Sequence, residues 1–197
     1  EETEARVDDA LPWSLYPVLR ARRLAFPLLR KLTDIHAGST GWKLFLDSDM
    51  LFFQRPAFLM KWLESPSRPC YMLDCVTSYG YTPTLMTSLA GAVIPEKVNT
   101  GICGLQSESL DWDRMESWCE AMLRREGTHY LQEQALSAMF LAGRECSIAP
   151  ASDYVVNPPK EDVVNLRGVM HHYVAVSKAW YFRFGWKDVL RSVGKPQ

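Results

Sequence analysis

Two aspartates interrupt an apolar run at residues 43–53, KLFLDSDMLFF. Leu44, Phe45 and Leu46 precede Asp47, and Met50 to Phe53 follow Asp49. A run of this kind, bounded by Gly41 and by Arg55-Pro56, predicts a buried strand. On a strand, side chains at i and i+2 share a face, so both carboxylates point to one spot. Buried carboxylates are costly unless paired or bound to a metal. Two like charges held close also raise each other's pKa unless a cation lies between them. A divalent ion with oxygen ligands, its shell completed by a diphosphate, meets both demands. A capping or turn pair is the plainer alternative, since Asp is common where strands end.

A second group lies far along the chain. VMHHYVAVSKAW sets His172, Lys178 and Trp180 at spacings of six and two. Imidazole is a metal ligand, and an ammonium can hold a phosphate as a point charge. Two carboxylates and one imidazole suit Mn²⁺ better than the strictly oxygen-loving Mg²⁺ or Ca²⁺, although Mg²⁺ stays in play. His171 is a rival ligand. Adjacent strand residues face opposite ways, so only one of the two histidines can point at a shared ion.

These residues need a scaffold to bring them together. Pro56–Glu64 predicts a short helix with Phe58, Leu59 and Trp62 inward, and residues 70–76 a second strand. The stretch 77–97 is loop-rich, broken by Gly80, Pro83, Gly91 and Pro95. VNTGICGLQS at 98–107 predicts a third strand with a kinked start. A helix capped by Ser109 or Asp111 runs to Arg125, and a shorter one covers about 132–141. Residues 146–157 and 168–174 are strand-like, and a helix follows from Ala179. Strands alternating with helices imply an α/β sheet covered on both faces.

Composition narrows the class. The 197 residues are 47% hydrophobic and 23% charged with a net charge of −1, which suits a globular domain and gives no global pull toward nucleic acid. Five cysteines without a C-x-x-C pair read as reduced thiols of a cytoplasmic protein. The acidic residues 1–10 predict a flexible amino terminus, and 11–197 a single domain. Leu11–Leu32 reverses the charge with Arg20, Arg22, Arg23, Arg30 and Lys31. That pattern predicts a packed helix with a solvated basic face; peripheral membrane contact through 12–31 is the other reading.

The order of the motifs resembles that of the GT-A glycosyltransferases. Asp47-Ser48-Asp49, then Asn99-Thr100-Gly101, then Glu133-Gln134, then H-Y-x-x-x-x-K-x-W from His172 are most similar to family 8, which includes glycogenin and the lipopolysaccharide galactosyl- and glucosyltransferases. The resemblance spans about residues 42–182. It implies a mixed, mostly parallel sheet flanked by helices, and transfer of a sugar from a nucleotide-diphospho-sugar, a UDP-sugar, with retention. It further implies Asp47, Asp49 and His172 as ligands of Mn²⁺, Lys178 on the diphosphate, and Asn99 and Gly101 on the donor sugar. Glu133 and Gln134 would lie beneath the anomeric carbon, with Glu in place of the family's usual Asp.

Departures accompany the match. Ala175 and Ala179 replace the family's glycine and proline near the lysine. Only 46 residues precede Asp47, mostly a basic helix, where the family places a β-α-β unit for the nucleoside. Either that unit is lacking or the nucleotide pocket is built differently. Gly38-Ser39 also invites a nucleotidyltransferase reading, but too few residues separate Ser39 from Asp47 for the helix that chemistry needs. A non-catalytic binding or scaffold protein on a degenerate transferase fold is the alternative from another class.

Overall fold

The apolar run around the two aspartates forms two short strands, not one. The structure, a computed structural model, describes residues 1–193. Helices α1 (Glu2–Ala10), α2 (Pro17–Ala25) and α3 (Arg30–His36) precede β1 (Trp42–Leu46) and β2 (Met50–Phe52). Helix α4 (Ala57–Glu64) leads to β3 (Cys70–Leu73), and α5 (Pro83–Ala90) to β4 (Val98–Gln106). Helices α6 (Trp112–Glu126) and α7 (Gln132–Leu141) are followed by β5 (Ser147–Ala149), β6 (Tyr154–Val156), α8 (Lys160–Val164) and β7 (Met170–His172). A last helical stretch comprises α9 (Lys178–Trp180), a π-helical turn (Tyr181–Gly185) and α10 (Trp186–Val193).

The strands make two mixed sheets, ordered β1-β4-β3-β5 and β2-β7-β6. The expected mixed α/β architecture is present, but parallel pairing is confined to β3–β5 and β6–β7. Strand β4 runs antiparallel to both β1 and β3, which corrects the expectation of a mostly parallel sheet. The buried strand predicted over 43–53 is corrected too. Its chain leaves one sheet at Leu46, turns through 47–49 and enters the other at Met50. Both strands are only partly buried.

One core packs helices against the four-stranded sheet, with Leu19, Leu105, Met115, Trp118, Leu136 and Phe140 among its members. A smaller core joins the two sheets beneath α4 through Leu59, Met72, Ile102, Tyr154 and Met170. Every residue of α7 is buried, including Gln132, Glu133 and Gln134 at its start. A helix buried all round is usually apolar throughout, so three polar residues in its first turn require nearby partners.

The local signals for caps hold where the sequence is explicit. Asp111 accepts from Arg114 N at the start of α6, and Gly127 ends that helix at φ 81°. Within the loop-rich stretch, Thr82 and Pro83 start α5 and Gly91 ends it in the left-handed region. Those are ordinary helix signals that the run of Gly and Pro obscured.

The amino-terminal region differs most from expectation. Residues 2–10, read as a flexible terminus, are helical with Val7 fully buried. Arg20, Arg22 and Arg23, read as a solvated basic face, are buried. The charges of Arg20 and Arg23 meet carboxylates that the one-dimensional pattern did not connect to them, while Arg22 donates to Gln132 Oε1 at 2.7 Å. Arg23 makes paired bonds to Glu4 at 2.8 and 2.7 Å and to Asp34 at 2.6 and 3.0 Å, while Arg20 meets Asp8. Fork-shaped guanidinium groups suit such buried pairing. No helix among the described residues is long and apolar enough to cross a membrane.

Candidate metal and diphosphate site

The turn between the sheets carries the candidate chemistry. Asp47 extends the β1–β4 ladder by one bond, its N–H donating to Gly101 O at 2.8 Å. Asp49 stands one residue before β2, where Met50 pairs with His172 of β7. Tyr173 N in turn donates to Asp49 O at 2.9 Å, so the end of that ladder fixes Asp49 beside His172. The two aspartates converge because each is anchored to a different sheet, not because they share one strand face.

His172 Nε2 lies 3.1 Å from Asp49 Oδ1 and 3.5 Å from Asp47 Oδ2. One ligand atom from each of the three residues falls within 4.8 Å of the other two. Burial lowers the His172 pKa, outweighing the raising effect of Asp49 and Asp47, and so favours the neutral imidazole that binds metals. Its buried Nδ1 has no hydrogen-bond partner among the described residues. Nε2 faces both carboxylates and is the nitrogen able to share an ion with them. His171 points the other way, with Nε2 2.6 Å from Arg167 O and its ring edge-on to Phe53. The alternation of a strand separates the two histidines.

The Asn99-Thr100-Gly101 turn sits where the β3–β4 register shifts between Tyr71 and Met72. Asn99 Oδ1 accepts from Gly101 N at 2.9 Å, a local turn typical of Asn, and Nδ2 donates to Asp74 Oδ2 at 2.7 Å. Gly101 has no room for a side chain. A Cβ there would lie 2.5 Å from His172 Cε1 and 2.6 Å from Met50 Cε.

Thr100 links this turn to α7. Its hydroxyl donates to Glu133 Oε2 at 2.9 Å, and its N–H faces Gln134 Oε1 at 3.5 Å. Glu133 also accepts from Ser137 at 3.1 Å, and desolvation pushes its pKa up to about 7. Gln134 Nε2 donates to Ser78 O at 2.9 Å.

Asp47, Asp49, Asn99, Gly101, Glu133, Gln134, His172 and Lys178 all line one cleft of about 600 Å³, and His171 does not. No protein-family model matches this chain. No curated protein matches it in sequence. Among solved structures, it is similar to apo mouse xyloside xylosyltransferase 1 at 13% identity and a TM-score of 0.49. That alignment covers 86% of this chain and 72% of the mouse chain.

Lys31 and Thr100 are among the cleft residues to which the sequence assigned no role in the site. Lys31 Nζ lies 2.6 Å from Asp47 Oδ1, 3.9 Å from Glu133 Oε2 and 4.7 Å from the centre of the Phe45 ring. Its only signal was its place between Leu29 and Leu32, both buried, on a helix whose basic residues looked solvated. Thr100 is the middle residue of the Asn99-Thr100-Gly101 motif. Lys178 lines the cleft, with Nζ 3.7 Å from Asp49 Oδ2. Tyr79 and Tyr81 are buried in the core.

Proposed function

We propose that this chain is a metal-dependent glycosyltransferase of GT-A type that takes a nucleotide-diphospho-sugar, a UDP-sugar, as donor. The observation that carries the reading is the convergence of Asp47, Asp49 and His172 in one cleft with Lys178 beside them. The donor set fits a divalent ion, two carboxylates and a neutral imidazole favouring Mn²⁺ over Mg²⁺. When bound, such an ion neutralises charge on a departing diphosphate as a Lewis acid.

The protein's own groups have distinct tasks in this reading. The Lys178 ammonium holds the diphosphate and stabilises the charge that develops on it. Asn99 and Gly101 shape the floor on which the donor sugar rests. Glu133 and Gln134 lie beneath the anomeric carbon, Gln134 as a neutral dipole and Glu133 as a group poised near neutral pH. The bond from anomeric carbon to diphosphate oxygen breaks while one to an acceptor hydroxyl forms on the same face, with the hydroxyl proton passing to the leaving diphosphate. Retention of configuration is the outcome of such a same-face route, and it rests on the family resemblance.

A thermal melt with and without Mn²⁺ and UDP tests the reading on the wild type and Asp49→Ala. A ligand that binds only the folded state raises the melting temperature. The expected result is a rise of several degrees (~2–4 °C per kcal/mol for a domain of this size) that needs both ligands and vanishes in the variant. No rise in the wild type favours the non-catalytic alternative.

A further inference from the structure

We propose that the last helical stretch docks on an anionic lipid surface through Phe182, Trp186 and Leu190. These residues recur every four positions across the π-helical turn and α10, and so share one side of the stretch. They are large, apolar and 69%, 38% and 61% exposed. The neighbouring side, at Gly185, packs inward. A Cβ at Gly185 would lie 2.5 Å from Tyr173 Oη and 3.2 Å from Leu51 Cδ1, and α10 rests against β2. The stripe faces outward beside this packed side.

Trp186 shows how the stripe is arranged. Its indole N–H donates to Phe182 O at 2.9 Å, which satisfies its polar atom within the helix and lays its apolar ring along the stripe. One cation lies by a ring of the stripe and two more by the neighbouring rings of Trp180 and Phe184. Lys187 Nζ is 5.8 Å from the Trp186 ring, Arg183 is 5.8 Å from the Trp180 ring, and Lys160 stands between Trp180 and Phe184 at 5.9 and 5.7 Å. By sequence, residues 178–191 carry Lys178, Arg183, Lys187 and Arg191 against the acid Asp188. The acids of neighbouring α8, Glu161 and Asp162, are already paired with Arg167.

Charge selects the occupant. Aromatic and Leu side chains edged by Lys and Arg suit a helix lying in the headgroup layer, its rings in the acyl boundary and its cations on phosphates. A second copy of this chain would bring the same positive segment against itself, so like charge opposes self-association. The segment 12–31 is a poorer candidate, since Arg20 and Arg23 are committed to Glu4, Asp8 and Asp34. Lys178 begins the stretch and lines the cleft, so lipid docking would hold the cleft within about 20 Å of the surface (twelve residues at ~1.5 Å).

Co-sedimentation of the full chain with phosphatidylcholine vesicles, with and without phosphatidylglycerol, tests the proposal. The expected result is binding to the anionic vesicles that falls with added salt. Phe182→Ser with Leu190→Ser should weaken it at least about tenfold, and Arg183→Glu with Lys187→Glu should weaken it as well. Unchanged melting temperatures would show that these surface variants fold. Failure to bind anionic vesicles, equal binding to pure phosphatidylcholine, or binding unaffected by either pair overturns the proposal. So does a dimer in light scattering that the apolar pair dissolves, which would make the stripe a self-association face.

Discussion

His172 Nε2 lies 3.1 Å from Asp49 Oδ1, a contact between residues 123 positions apart. Backbone pairing of Tyr173 N with Asp49 O at 2.9 Å runs alongside it. The side-chain contact is thus a product of strand register. A one-residue slip of β2 on β7 would turn His172 away and present His171 instead.

That register separates the roles of the two histidines. His172→Ala should weaken Mn²⁺ binding by about 100-fold or more, beyond the loss typical of an outer-shell change. His171→Ala should leave metal affinity intact and cost about 1–3 kcal/mol of stability, through its bond to Arg167 O and its ring contacts. Titration calorimetry with Mn²⁺ and urea unfolding on both variants would check this. Equal loss of metal binding in the two would refute it.

Gly101→Ala places a methyl against His172 and Met50. Overpacking of this kind costs about 1–3 kcal/mol. Because the displaced ring belongs to the candidate ligand, the variant should also lose the Mn²⁺-dependent rise in melting temperature. Urea unfolding and a metal melt on one sample would read both effects.

Lys31 shares Asp47 with any bound cation. Lys31→Met removes a positive charge 2.6 Å from Asp47 Oδ1 and should tighten the binding of Mn²⁺ alone by about tenfold, the size of a partly screened charge–charge term. Calorimetry without nucleotide is the measurement. Weaker Mn²⁺ binding would mean that Lys31 orients Asp47 more than it repels the ion.

Glu133 makes stability depend on pH. Its pKa rises from 4.5 to about 7 on folding, chiefly by desolvation. The folded state then holds the proton more tightly than the unfolded one, so the contribution is fully present below pH ~4.5 and is lost as pH rises through ~7. At ~1.4 kcal/mol per pKa unit the loss is about 3 kcal/mol. Glu133→Gln should lack it, gaining on the wild type by that amount between pH 4.5 and 8 in urea unfolding without metal. Parallel curves for the two proteins would show that Glu133 titrates normally.

The sequence by itself singled out eight candidate residues and determined where most elements run. Asp47, Asp49, Asn99, Gly101, Glu133, Gln134, His172 and Lys178 were all legible, because type, order and spacing survive in one dimension. Helix α6 was legible for the same reason, its cap and periodicity being local. The tertiary structure alone decided how β1 and β2 part into two sheets around the aspartates, since strand pairing is chosen by distant partners. It decided that His172 and not His171 faces the carboxylates, which register sets. It also turned Arg20 and Arg23 inward and brought Lys31 onto Asp47. A charge is buried when its counter-charge is delivered from elsewhere in the chain, and no local pattern records that delivery.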